Sequence, residues 1–191
     1  MEKMRCQWCM KDELYMHYHD TEWGVPVHDD LKMFEFLILE TFQAGLSWHT
    51  ILKKRENFRK AFLHFNPEKM AAMDDESVEL LMGDTGIIRN RAKIQAAIHN
   101  AKLFLTISES MSFSDYMWKF TDSRIIVNHP KQLSEIQATS KESDRMSAEM
   151  RKLGFKFVGS TVCYAHMQAT GMVNDHLRDC FRYSELLAET R

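Results

Sequence analysis

Cys6 and His19 lie near the start of this 191-residue chain, and His176 and Cys180 near its end. If the four side chains met on one ion, the two ends would be stapled together, a stronger constraint on the fold than any local pattern. The first pair has the form Cys-x12-His. The second is His-Leu-Arg-Asp-Cys, an i, i+4 pair that points one way from a helix turn. Two thiolates and two imidazoles suit tetrahedral zinc and complete its coordination, so such a site is structural. Spacing leaves a second reading open, in which two free cysteines and two unrelated histidines belong to a reduced protein. Cys9, three residues after Cys6, forms a Cys-x-x-Cys and is a rival first ligand.

An apolar fraction of 45% supports a sizeable core, and only seven glycines and three prolines argue for long regular elements with short connections. The 14 methionines and 12 phenylalanines suit a helical interior better than a β-rich one, where Val, Ile and Thr should lead. One domain, or two closely packed lobes, is the economical organisation at this length. No apolar run approaches the ~20 residues needed to cross a bilayer. The opening Met-Glu-Lys-Met-Arg-Cys has no apolar core of a secretory signal, so a reduced cytoplasmic setting is expected. The four cysteines then read as metal ligands or buried thiols; Cys163 sits in an apolar stretch and reads as core.

Helical periodicity organises most of the chain. Residues 1–28 show no clear period but are rich in aromatics, with Trp8, Tyr15, Tyr18 and Trp23. Asp29 caps a helix carrying Leu31, Phe34, Leu37, Ile38 and Phe42; Gly45 breaks it, and Ser47 caps the next, with Ile51, Leu52, Phe58 and Phe62. Pro67 opens a short helix through Met73, and Asp74 or Asp75 starts another. Gly83-Asp84-Thr85-Gly86 turns into a long helix after Asn90. Ser112 and Asp115 resemble a capping box, residues 122–139 an irregular connector. Ser140 begins a polar amphipathic helix that Gly154 ends, and Val158 to Met172 reads as a buried helix. The expected fold class is all-α.

The net charge of −2 neither advertises nor excludes a polyanionic partner, because local patches do the steering. The basic candidates are Lys53-Lys54-Arg55, Arg89-x-Arg91-x-Lys93, and Arg151-Lys152 with Lys156. The turn at 83–90 has the form of a helix-hairpin-helix, in which Gly86 would let backbone amides approach a phosphate while Arg89, Arg91 and Lys93 supply charge. An ordinary αα-hairpin fits the same residues. Glu40, near the end of an apolar helix and facing Gln43-Ala44-Gly45-Leu46-Ser47-Trp48, is an odd place for a carboxylate unless it is an exposed helix-terminal acid.

These residues fall into longer motifs. They are Tyr18-His19-Asp20-x-Glu22-Trp23-Gly24-Val25-Pro26, Gln43 to Trp48, Leu52-Lys53-Lys54-Arg55-Glu56-Asn57, Gly86-Ile87-Ile88-Arg89-x-Arg91-x-Lys93-Ile94-Gln95-Ala96, Gly154 to Gly159, and Val173-Asn174-Asp175-His176. In this order and spacing the chain resembles 3-methyladenine DNA glycosylase I, a bacterial base-excision repair family of the helix-hairpin-helix superfamily. The resemblance implies a structural zinc, one per chain, held by Cys6, His19, His176 and Cys180, with Cys9 a bystander. It implies a base pocket of Glu40, Tyr18, Trp8 and Trp48, with Glu40 the catalytic carboxylate. It also implies DNA contacts from Gln43, Leu46, Gly86, Arg89 and Lys93. The organisation it implies is a hairpin lobe over about 30–120 and a second lobe from 1–29 and 121–191. Double-stranded alkylated DNA is the expected partner of a monomer, with no membrane or obligate protein partner.

No lysine stands out as a Schiff-base nucleophile, which favours a monofunctional hydrolase over a lyase. Asp115 is left out of the site because its capping position accounts for it. Phe42 stands where the family leads one to expect a polar residue. Two rivals are a zinc hydrolase, prompted by Tyr18-His19-Asp20, and a non-enzymatic module that binds damaged DNA.

Overall fold

The fold was analysed in a computed structural model that describes residues 3–189. Its ten α-helices among the described residues are α1 (Glu13–Thr21), α2 (Asp30–Gln43), α3 (Trp48–Ala61), α4 (Pro67–Ala71) and α5 (Asp75–Gly83). They continue with α6 (Arg91–Ser108), α7 (Phe113–Trp118), α8 (Lys141–Leu153), α9 (Ser160–Ala169) and α10 (Phe181–Glu189). Side-chain capping sets most of the starts. Asp29, Ser47, Asn66, Asp74, Asn90, Ser112 and Ser140 each accept from a backbone N–H one turn in, as Asp12 does for α1. Each such cap stabilises its helix by about 1 kcal/mol. At Ser140 the box is reciprocal, Ser143 returning a bond to the Ser140 N–H. Gly154 ends α8 at φ 105°, a left-handed conformation that glycine adopts without steric cost.

Helix α2 is the hub, packing against α3, α6, α7 and α9. From Met33 to Phe42 all but Glu35 is buried, as expected of a helix covered on every side. Phe34 packs with Phe104 and Phe113, while Phe42 meets Phe58 at 4.7 Å and Phe62 at 5.6 Å. Phe42 is thus a core residue, buried among aromatics and not part of the loop surface.

Four expectations need correction. The fold is not purely helical: β1 (Ile126–Val127) pairs in parallel with β2 (Val173–Asn174), in register Ile126↔Val173 and Val127↔Asn174. The two-residue strands tie the 122–139 connector to the segment carrying His176. Residues 13–21 are helical where the sequence showed no period, and Phe181–Glu189 forms a further helix. His176 to Cys180 is a turn preceding α10, closed by Cys180 N–H donating to Leu177 O at 2.8 Å. The buried helix in the 158–172 stretch is limited to Ser160–Ala169. Beyond it, at Gly171 (φ 73°), a Cβ would overlap the backbone of Val25 and Pro26, so only glycine lets the two strands of chain cross. Gly24 N–H donates to Gln168 O and Val27 N–H to Thr170 O across that crossing.

Candidate active site

Cys6, His19, His176 and Cys180 converge as a buried cluster whose four ligand atoms all lie within 4.8 Å of one another. Cys180 Sγ is 3.4 Å from His19 Nε2 and 3.6 Å from His176 Nδ1, and Cys6 Sγ is 3.8 Å from His176 Nδ1. The far ring nitrogens are engaged as those of metal-ligating histidines usually are. His19 Nδ1 meets Asp20 at 2.8 Å, Asp20 being gripped by Arg5, and His176 Nε2 meets Trp23 O at 3.1 Å. The thiols perturb one another in opposite senses. The Cys6 contact, with help from both histidines, holds Cys180 well below the usual thiol range, while the Cys180 contact and burial push Cys6 far up. Two thiolates this close repel unless a cation lies between them, so the donor set fits a metal ion. Cys9 stays outside the cluster; its thiol donates to Cys6 O at 3.0 Å.

The cluster supports a cavity. Trp8, two residues after Cys6, lies 5.4 Å from the His19 ring and 4.9 Å from Trp23, whose ring packs on His176 at 4.5 Å. Trp8 and Trp23, with Tyr15 and Tyr18 of α1, form one wall of a hollow of about 220 Å³. Glu40 and Gln43 of α2 and Trp48 of α3 form another, and Ile136 with Ala165 and Gln168 of α9 completes it. Trp8, Tyr18, Glu40, Trp48 and Gln43 therefore meet in one place. Tyr15, Trp23 and Gln168 were not singled out as site residues; the two aromatics carried a signal in the clustering before residue 25, Gln168 none.

Within this aromatic box two polar atoms are buried without a hydrogen-bond partner among the described residues, Glu40 Oε2 and Trp48 Nε1. Glu40 is 3% exposed, and burial pushes its carboxyl up to about 8. Burial also raises the phenols, Tyr15 to about 12 and Tyr18 well above the ordinary range, so both stay neutral. Such a box suits a flat, electron-poor heterocycle: indole and phenol faces attract a cation, and a free carboxyl accepts from an amine.

At the rim, Leu46 is 42% exposed beside Gly45 (φ 82°), and a second hollow of about 200 Å³ runs from Glu40 and Gln43 past Leu46 to Thr161. Lys93 is placed differently from expectation. It is 6% exposed and its ammonium donates to Phe42 O at 2.9 Å and Ala44 O at 2.6 Å. It caps the end of α2 and holds the rim loop, which takes it out of reach of a phosphate. In the α5–α6 hairpin, Gly86 is close-packed: a Cβ would meet Asp84 Oδ1 at 2.9 Å and Asn57 at 3.1 Å. Arg89 is exposed, whereas Arg91 is paired with Glu79. Asp115 is exposed in the first turn of α7. Arg89→Ala is therefore expected to reduce the salt dependence of DNA binding by about one phosphate contact, a slope change of ~0.9. Lys93→Gln should leave that slope unchanged and lower stability by ~1–3 kcal/mol through orphaned carbonyls. Equal salt slopes for Arg89→Ala and wild type would remove Arg89 from the interface.

An aromatic pocket with one unpartnered carboxyl thus lies beside a helical hairpin, an arrangement able to hold a flat cationic base. The chain belongs to the methyladenine glycosylase family, whose model matches residues 8–183. It is 51% identical over 180 residues to DNA-3-methyladenine glycosylase 1 of Escherichia coli K12, covering 94% of this chain and 96% of that one. A crystal structure of 3-methyladenine DNA glycosylase I superimposes with a TM-score of 0.91 at 49% identity, covering 93% of this chain and 98% of that one. The Staphylococcus aureus glycosylase, solved to explain 3-methyladenine recognition, superimposes with a TM-score of 0.89 at 34% identity, covering 93% and 95%.

Proposed function

We propose that this protein is a monofunctional DNA-3-methyladenine glycosylase that hydrolyses the N-glycosidic bond of N3-methyladenine in alkylated DNA, releasing the base and leaving an abasic site. The observation that carries this reading is the unpartnered carboxyl oxygen of Glu40 inside the aromatic cavity. Methylation at N3 makes adenine cationic, so its bond to the sugar is already weak and the leaving base needs no proton from the enzyme. The protein has to extrude the nucleotide, which costs a few kcal/mol and least for a damaged pair, and then hold the base. Trp8, Tyr18 and Trp48 contribute ring faces, and Glu40 accepts from the exocyclic amine and balances the positive charge. Neutral adenine lacks that charge. Water attacks the sugar as the bond loosens.

Zinc is the ion that the Cys6, His19, His176 and Cys180 set suits, and when bound it supplies a cross-link between distant parts of the chain. Four protein donors fill a tetrahedral shell and leave no position for a reacting water, which argues against the zinc hydrolase reading. The hairpin lobe of 30–120 and the lobe from 1–29 and 121–191 meet at the base cavity. The α5–α6 unit acts as a helix-hairpin-helix, its 84–90 turn meeting the phosphate backbone with Gly86 and Arg89, while Gln43 and Leu46 enter the gap left by the extruded base. Among the described residues no helix is long and apolar enough to cross a membrane. The enzyme works in the cytoplasm as a monomer on double-stranded DNA.

The direct test is incubation with DNA treated with a methylating agent, followed by chromatography of the bases set free. Release of 3-methyladenine, with other methylated purines largely retained, is expected. A folded, metal-loaded sample that binds such DNA and releases nothing would leave a damage-binding module as the better description.

A further inference from the structure

Asp175 is 1% exposed and receives three hydrogen bonds: Asn128 Nδ2 donates to Oδ1 at 2.7 Å, and Tyr164 Oη and Gln168 Nε2 each donate to Oδ2 at 2.7 Å. A carboxylate offers only acceptors here, so it settles which end of the Gln168 amide faces it. Were the amide reversed, its carbonyl oxygen would sit against the carboxylate oxygen with no proton between them. Asp175 is itself immobilised. Its neighbour Asn174 is paired in β2, Asn128 N–H donates to Asn174 O at 3.1 Å, and Asn128 Nδ2 also reaches Tyr164 Oη at 3.2 Å. Gln168 lines the base cavity, its NH2 end is engaged by Asp175, and its side-chain oxygen takes no hydrogen bond from the described residues.

We infer that Gln168 is a specificity-determining residue, its amide oxygen accepting from the exocyclic amine of the bound base, and that Asp175 is the positioning residue that keeps that oxygen turned toward the cavity. The inference rests on the proposed excision of 3-methyladenine and adds a second acceptor to Glu40. An exocyclic amine has two hydrogens, and two acceptors from α2 and α9 can use both. Gln168 also does something that Glu40 does not. In the empty cavity a carboxyl that keeps its proton near neutral pH can donate as well as accept, whereas an amide oxygen with a fixed orientation can only accept. A methylated base bearing a carbonyl at that position would meet lone pair against lone pair. A base with hydrogen there would leave the acceptor unsatisfied, the situation in which hydrogen-bonding sites discriminate most strongly.

The test is equilibrium binding of two free bases, 3-methyladenine and 3-methylpurine, which lacks the amine, followed by the fluorescence of the cavity tryptophans. Gln168→Met keeps the length of the side chain and removes the acceptor; it should weaken 3-methyladenine about five- to tenfold and leave 3-methylpurine within twofold of wild type. Asp175→Asn can offer its own NH2 to Gln168 and so release the amide to turn; with bound metal unchanged by elemental analysis, it should reduce the preference for the amine in the same direction. Equal weakening of both bases by Gln168→Met, or no weakening of either, would overturn the inference. Release of 3-methyladenine from methylated DNA by the wild-type protein, measured in parallel, reports separately on the glycosylase reading.

Discussion

Cys180→Ser is expected to cost the protein ~3–9 kcal/mol of stability, because Cys6, His19 and His176 would be left as buried polar groups at ~1–3 kcal/mol each. For a chain of this size that corresponds to a fall in Tm of about 10–30 °C. Loss of tightly bound zinc, measured by elemental analysis, should accompany it, and prolonged treatment of the wild-type protein with a chelator should produce the same fall. The damage should be greatest around Trp8 and Trp23, whose rings pack on His19 and His176. A catalytic metal would behave differently, with fold and Tm retained and turnover lost. A variant that keeps both its metal and its Tm would refute the clamp altogether.

Glu40→Gln is expected to preserve the fold and lower kcat/KM for excision by roughly 10²–10³, since it removes the one charge available to balance a cationic base in a water-poor cavity. The pH dependence separates this from a packing defect. In the folded protein burial raises the Glu40 carboxyl from 4.5 to about 8. Between those values the folded state binds more protons than the unfolded state. The contribution to stability is therefore fully present below about 4.5 and is lost as pH rises through about 8, on the order of 4–5 kcal/mol in all. Glutamine does not titrate, so the stability of the variant relative to wild type should improve by that order between pH 5 and 9. The kcat/KM of wild type should climb toward a plateau near pH 8, as the free enzyme gains the carboxylate a cation prefers, while the variant stays flat. Parallel pH profiles for the two proteins, in both stability and kcat/KM, would show that Glu40 neither titrates there nor meets the base. The geometry also implies a trade-off: the unpartnered carboxyl that the base needs is, at neutral and alkaline pH, a cost to the empty fold.

How much of this was legible in the sequence depends on whether the cause of each feature is local. Caps are local, so Asp29, Ser47, Asn90, Ser112 and Ser140 could be read from the sequence, with Asp74 one of two candidates. Helix α1 was hidden because its aromatics serve two surfaces: Tyr15 and Tyr18 line the cavity while His19 turns to the metal cluster, and no single stripe results. The β1–β2 pair was invisible for another reason, as two-residue strands more than 40 residues apart carry no periodic signal. The Cys/His cluster was readable as a set of residue types; its closure depended on chain crossings that no spacing specifies. In the cavity, Glu40 stood out as a carboxylate in an apolar helix. Gln168 did not, because one amide in a buried helix reads as ordinary, and only its bond to Asp175 gives its oxygen a direction. Lys93 was misplaced by the same logic: a lysine beside a hairpin reads as a phosphate contact until the carbonyls ending α2 are seen to claim it.

The crossing near Gly171 and the bond from Phe181 N–H to Met4 O join the last-made part of the chain to the first. The hairpin region, α2 to α7, has most of its partners within its own stretch of sequence and can form early as the chain leaves the ribosome. The wall carrying Trp8 and Tyr18, although synthesised first, rests on α3 through Tyr18 against Trp48 and Glu22 paired with Arg55, and is completed only when the Cys180 segment has emerged. A chain arrested short of that point would carry the hairpin and a cavity whose Trp8–Trp23 wall lacks its support from His176. If the hairpin meets DNA as proposed, such a chain would hold the duplex without a finished pocket to receive the base.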